Sequence, residues 1–283
     1  MLPRMRAARG AAQLFSDVHP WACSAAASQL VQARGEASTV RRWYERVTVA
    51  EQQGLWHVFL DARALRTPAR HTLAVPSRAL ALAIAAEWQW QEPGRIRPIT
   101  MPLMSIAATA IDQPKPRAAV IDAMLQYVHT DAACCRHEPG ALADRQAQVF
   151  DPVLEWAGDT LRAAFTVDDS IFAANQPEAA IQALRQHLEG LDAWHLTAVE
   201  FLASSCRSVL LGLAVLHARL GVAEAVDAAR LEEASQIEEW GLVEGGHDID
   251  LSDLKVRMAA PSVFLRLLRM QSPPKSLTCA VRP

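Results

Sequence analysis

The stretch VTVAEQQGLWHVFLDARALRTPARHTLAVPSRALALAIAAEWQWQ, residues 47–91, decides the fold because its pattern changes midway. VTVA and LWHVFL are short, β-branched and aromatic, and a turn-like EQQG separates them. HTLAV alternates and lies between Pro68 and Pro76. These are strand and hairpin signals, so residues 41–76 predict a small antiparallel β unit. From Ser77 the pattern becomes ALALAIAAEWQWQ. Ser77 is a candidate N-cap and Pro93-Gly94 a stop, which together predict a helix.

Downstream the signals are helical. MSIAATAID and PRAAVIDAMLQYVHT read as two helices split at residues 113–116. ALADRQAQVFDPVLEWAGDTLRAAF is helical in composition, with Pro152 expected to begin or kink a helix. PEAAIQALRQHLEG, LDAWHLTAVEFLASSCRSVLLGLAVLHARLG, VAEAVDAARLEEASQIEEWG and DLKVRMAAPSVFLRLLRM follow, the last interrupted at Pro261. Gly190, Gly221 and Gly241 fall where C-terminal caps belong. The fold class expected is α+β, with a small β-rich N-terminal domain (39–130) before a larger all-helical domain (131–272). Residues 273–283 read as a loose tail.

The first 38 residues stand apart. Arg4, Arg6 and Arg9 lie among alanines, with no acid before Asp17 and no continuous apolar run. That is the composition of an organelle transit peptide.

The 283 residues are 51% hydrophobic and 21% charged, with a net charge of −3. A substantial core is expected, and no nucleic-acid footprint appears. No apolar run reaches the ~18–20 residues that span a bilayer; the longest, SVLLGLAVLHARL, contains His217 and Arg219. Cys23, Cys134, Cys135, Cys206 and Cys279 are odd in number and form no CxxC. Free thiols in a reducing compartment are the expectation.

Motifs for chemistry are missing. There is no phosphate loop, HExxH or GxSxG. His129 with Asp131, and His137 with Glu138, are spaced for acid–base pairs, although polar residues at helix ends are the commoner reading. His247-Asp248-Ile249-Asp250 forms a polar cluster in which a cation site is conceivable; Asp250 or Ser252 as N-cap of the last helix is the plainer expectation.

One segment carries an anomaly. Set on one helical wheel over residues 222–240, Val226, Ile237 and Trp240 share an apolar face. Glu232, Gln236 and Glu239 lie on the other. Glu233 falls inside the apolar stripe, with Arg230 three residues earlier. A carboxylate buried alone costs several kcal/mol, so Glu233 must pair with Arg230, with another helix, or with a partner protein.

Several segments, in order, resemble the family of mitochondrial F1 complex assembly factor 2, a chaperone of ATP synthase assembly. They are RRWYERVTV, LDARALRTP, LAVPSRALALAIAAEWQWQ, IRPITMPLMSIAATAID, YVHTDAACCR, LADRQAQVFDPVLEWA and LEEASQIEEWG, covering about residues 41–255. The family's Leu-acid-Glu-x-aromatic-Gln-Ile motif places its acid on Glu233, and Gln236, Ile237, Trp240 and Gly241 complete the match. Ser235, Cys135 and Phe150 depart from the family pattern. The resemblance implies a β-rich domain followed by a helical one, without enzymatic activity, cofactor or metal. It implies a chaperone of the mitochondrial matrix that binds the unassembled ATP synthase alpha subunit until the beta subunit displaces it. No heptad repeat argues for self-association, so a monomer is the expectation. The partner-binding residues expected are Glu233, Glu232, Gln236, Glu239 and Trp240. Two competing readings are an organellar hydrolase working through Asp and His, and a permanent structural subunit of the synthase.

Overall fold

The computed structural model describes residues 41–168, 175–241 and 247–270. The transit-peptide reading and the tail from residue 273 therefore lie outside the described residues.

Strands β1 (Val47–Gln52) and β2 (Leu55–Leu60) pair antiparallel, with Val47 opposite Leu60 and Gln52 opposite Leu55. Only Gln53 and Gly54 join them, at φ of 53° and 79°. Two consecutive left-handed residues make the primed turn whose twist matches a hairpin. The register places Val49 across from Val58, and Val58 and Leu60 are buried. β3 (Arg63–Ala64) and β4 (Ala74–Val75) both pair with β2 and complete a four-stranded sheet. HTLAV thus keeps its alternation, with Leu73 and Val75 buried, but only two of its residues form a strand.

Helix α1 (Arg78–Gln89) lies against β1, β2 and β4. Ser77 caps it as the sequence predicts, accepting the Leu80 amide at 3.4 Å. The same hydroxyl donates to the Leu267 carbonyl at 2.6 Å, which ties the sheet region to the last helix. α2 (Pro102–Asp112) has no side-chain cap of its own. Glu87 of α1 supplies one, its two carboxylate oxygens accepting the Leu103 and Met104 amides at 2.8 Å each.

Eight further helices follow: α3 (Arg117–Gln126), α4 (Ala141–Leu161), α5 (Glu178–Gly190), α6 (Ala193–Cys206), α7 (Val209–Leu216), α8 (Val222–Ala229), α9 (Leu231–Trp240) and α10 (His247–Arg269). α6 is the hub. It packs against α2, α3, α7, α8 and α10, and buries Leu196, Ala198, Val199, Leu202 and Ala203. A small sheet followed by helices is the α+β class expected.

Several local expectations change. α4 runs through Pro152 and α10 through Pro261. A proline removes one N–H and crowds the carbonyl four residues back. Burial of Phe150, Val153 and Ala157 in one helix, and of Met258, Phe264 and Leu265 in the other, holds both helices across that defect. Gly221 begins α8 rather than ending α7, its amide bonded to Glu224 at 2.7 Å. α10 starts at His247, which places Asp250 and Ser252 inside the helix rather than at its cap.

The segment read as one helix over residues 193–220 is two. It breaks at Arg207, in the left-handed region at φ 56°, and Ser208 caps α7 by accepting the Leu211 amide at 2.9 Å. The cause lies far away in sequence. Asp131, fully buried, accepts the Val209 amide at 2.7 Å and the Leu210 amide at 3.3 Å, and also the Ala133 amide at 3.0 Å. Burial pushes its carboxyl above the usual range, while bonds from Ser208 and the three amides pull the other way. This is no catalytic acid: its oxygens are committed to a helix N-terminus, and the neighbouring His129 instead accepts the Gln176 amide at 3.1 Å through Nδ1.

Two predictions follow from these caps. Asp131→Ala leaves buried amides without acceptors and is expected to cost about 3 kcal/mol, read by urea unfolding. Glu87 gives a pH signature. Burial raises its pKa from 4.5 to about 7, against the two amide bonds. The folded state then holds a proton that the unfolded state has released, so stability falls as pH rises between those values. Glu87→Gln, which does not titrate, is expected to flatten that slope in melting curves taken from pH 4.5 to 7.5.

Candidate functional site

The wheel drawn over residues 222–240 assumed one helix, and the structure breaks it at Arg230. Arg230, at φ −110° and ψ 11°, ends α8 and precedes α9. Val226 therefore no longer shares a face with Ile237 and Trp240. Val226 is buried, whereas no residue of α9 is buried.

Glu233 sits in the first turn of α9 and meets Arg230 in a two-pronged pair. Arg230 Nε donates to Oε2 at 2.9 Å and Nη2 to Oε1 at 2.7 Å. The guanidinium side chain is 15% exposed and the carboxylate 32%. The hydrogen bonds that Arg230 donates to Glu233 hold it above the ordinary guanidinium pKa, with the charges of Glu233, Asp250 and Asp227 adding to the effect. Arg230, one of the three partners that the sequence allows for Glu233, is thus an intrachain partner of it. A parallel fork of this kind fixes orientation more than it adds stability.

The remaining acids of α9 divide by role. Glu232 is exposed yet accepts Gln146 Nε2 at 3.1 Å. Gln146 is fully buried, and its carbonyl oxygen takes the His137 amide at 2.7 Å. Glu238 pairs with Arg145 at 2.6 Å. α9 is thus moored to α4 by polar contacts rather than by a core. Gln236 and Glu239 are exposed, and Trp240 is 73% exposed. Beside Leu231 runs a groove of about 400 Å³, floored by Val149, Val153 and Ala228 and edged by Arg219, Glu224 and Asp227.

The sequence brought Glu233 and Arg230 to notice but missed Gln146 and Arg145 as the moorings. A signal for Gln146 was available. It stands on the spacing 146, 150, 153, 157 whose other members, Phe150, Val153 and Ala157, are buried. A polar residue on such a line requires a buried polar partner.

The arrangement offers recognition rather than chemistry. Among the described residues, no group of three or more His, Cys, Asp and Glu is placed to hold a metal. Burial pushes the Cys206 thiol up to about 12 and Cys134 higher still, so neither presents a thiolate. No described helix is long and apolar enough to cross a membrane.

Comparison with known proteins agrees with this reading. A family model described as ATP12 chaperone protein matches residues 41–158. The mitochondrial atp12 protein of Schizosaccharomyces pombe is 26% identical over 242 residues, covering 81% of this chain and 83% of that one. The mitochondrial ATP12 protein of Saccharomyces cerevisiae is 23% identical over 277 residues, covering 81% and 85%. The crystal structure of Atp12 from Paracoccus denitrificans superposes with a TM-score of 0.74 at 34% identity, over 81% of this chain and 98% of that one. The family's description is that of a chaperone. The chain belongs to the ATP12 chaperone family.

Proposed function

We propose that this protein is a chaperone in the assembly of the F1 sector of ATP synthase, and that it holds the unassembled alpha subunit until the beta subunit displaces it. Membership of the ATP12 family is the observation that carries the assembly role. The alpha subunit as client, and the mitochondrial matrix as its place, go further. The mitochondrial names of the two yeast relatives support the compartment, and so does the arginine-rich composition of residues 1–38.

The surface proposed for the client is α9, through Glu233, Glu232, Gln236, Glu239 and Trp240. Its physical logic is that of a holding contact. An unassembled subunit exposes an apolar interface that aggregates when left uncovered. A chaperone that hydrolyses nothing must cover this surface and still give way to the permanent neighbour. One exposed aromatic, Trp240, beside a carboxylate held in orientation by Arg230, suits an interface with few anchors and a defined register.

Pull-down from a matrix extract tests the function directly, and the alpha subunit is expected as the major partner at near-stoichiometric ratio. Recovery of the protein within the finished synthase would favour a structural subunit instead. Glu233→Gln and Glu233→Lys test the site. The exposed edge of the Arg230 pair limits its worth to about 1 kcal/mol or less. Melting is therefore expected to move little for Glu233→Gln while alpha capture falls about tenfold or more. A loss of capture that only tracks a loss of melting temperature would assign Glu233 to the fold alone.

A further inference from the structure

Helix α1 has a second apolar face. Its inner side buries Leu80, Ala81, Ile84 and Ala85. At 100° per residue, Ala79, Leu82, Ala83, Ala86 and Trp90 gather on the opposite side. That outward band carries no charge; the helix's only charged residues, Arg78 and Glu87, lie at its margins. Leu82 is 43% exposed and Trp90, the C-terminal cap residue, 85%. A surface helix ordinarily turns charged residues to water, and one that is apolar all round belongs in an interior. α1 is apolar on two opposite faces, and among the described residues only the inner one is covered.

The outward face also ends in a built feature. Ala83, Ala86, Glu87 and Trp90 line a groove of about 380 Å³ together with Glu92, Arg95 and Arg97. Ile99, 84% exposed, adds apolar surface beside it. The charges in this groove are unevenly engaged. Glu87 is bonded to the α2 amides, and Glu92 meets Arg97 at 3.3 Å. Arg95 has no side-chain partner among the described residues. The surrounding chain is basic as well, since residues 41–112 hold nine arginines against six carboxylates. Residues 131–270 hold 22 carboxylates against 11 cations, a balance of the opposite sign.

We infer that the outward face of α1, with the groove at its C-terminal end, is a second docking surface that receives an amphipathic helix carrying a carboxylate. The spacing of Leu82, Ala86 and Trp90 at successive turns is that of a helix-on-helix seam, with alanines allowing close approach. The carboxylate meets Arg95, and the apolar stripe of the incoming helix covers Leu82 and Trp90. That the helix belongs to the alpha subunit rests on the function proposed above.

Trp90→Ala and Arg95→Glu alter exposed side chains, so melting is expected to stay unchanged, whereas Leu82→Asp, at a residue 43% exposed, is expected to lower it slightly. Capture of the alpha subunit is expected to weaken about tenfold in each, with Arg95→Glu losing its effect in high salt. Equal capture by wild type and all three variants would overturn the surface and leave the chaperone reading intact. If sedimentation shows a wild-type dimer that Trp90→Ala dissociates, a second copy covers the face and the inference fails. Should the wild type capture no alpha subunit, the proposed function falls. The surface is then judged with a synthetic amphipathic helix bearing a leucine–alanine stripe and one aspartate. Amide shifts at Ala83, Ala86 and Arg95 on titration would sustain it, and unchanged spectra would overturn it.

Discussion

The carboxylate of Asp131 is the contact on which the helical region depends. All eight residues of α7 are buried. A helix so short has little stability of its own, and its leading amides, cut off from water, need acceptors inside the protein. Asp131 and Ser208 provide them from two sides. The cap also sets where α6 ends and how the chain reverses, because Gly212 of α7 then lies where an added Cβ would come 3.1 Å from the Ala203 amide nitrogen. That crossing packs α7, every residue of which is buried, against α6, and α10, α2 and α8 pack around α6. Burial works against the charge while four donors favour it. The balance holds only as long as the elements around it stay assembled.

The contrast between this cap and the one at Ser77 explains what the sequence discloses. The Ser77 cap of α1 and the Gln53-Gly54 turn rest on contacts within four residues. Their signals are written side by side in the chain. The break at Arg207 rests on Asp131, which lies 78 positions before the Val209 amide it accepts, and nothing in Arg207 itself disfavours a helix. Ser208 followed by an apolar run was the one local sign. Pro152 and Pro261 err in the other direction. Their local cost is real, yet tertiary burial outweighs it. The elbow at Arg230 belongs with Arg207: a good helix former stands at a break, so the wheel through it joined Val226 to a face from which it is separated. Glu233 was still legible, because a carboxylate three residues from an arginine in an apolar context is unusual however the helix bends.

α9, the surface proposed for the client, is held by polar contacts and not by a core. Were it held by a core, its apolar residues would face inward and little would remain to offer. Instead Gln146, Arg145 and Arg230 secure it through Glu232, Glu238 and Glu233. Polar moorings are directional, so they fix the helix in place without consuming Trp240. The mooring on buried Gln146 is the strongest of these, since its amide has few other partners, while the Arg145 pair is open to water and contributes little.

The two most exposed tryptophans among the described residues stand in regions of opposite charge. Trp240 closes a helix rich in carboxylates, and Trp90 stands beside an unpartnered arginine in a basic stretch. Apolar contacts alone are poor at setting direction, because they accept many alignments. Opposite charges beside two anchors exclude the reversed alignment, in which like charges would meet. With the function proposed, this has a kinetic consequence. A client held at separate, individually modest contacts leaves by releasing one while the other still holds. An incoming subunit can then take the vacated surface first. Exchange of that kind needs no nucleotide, and it asks of the chaperone only that neither contact be strong alone.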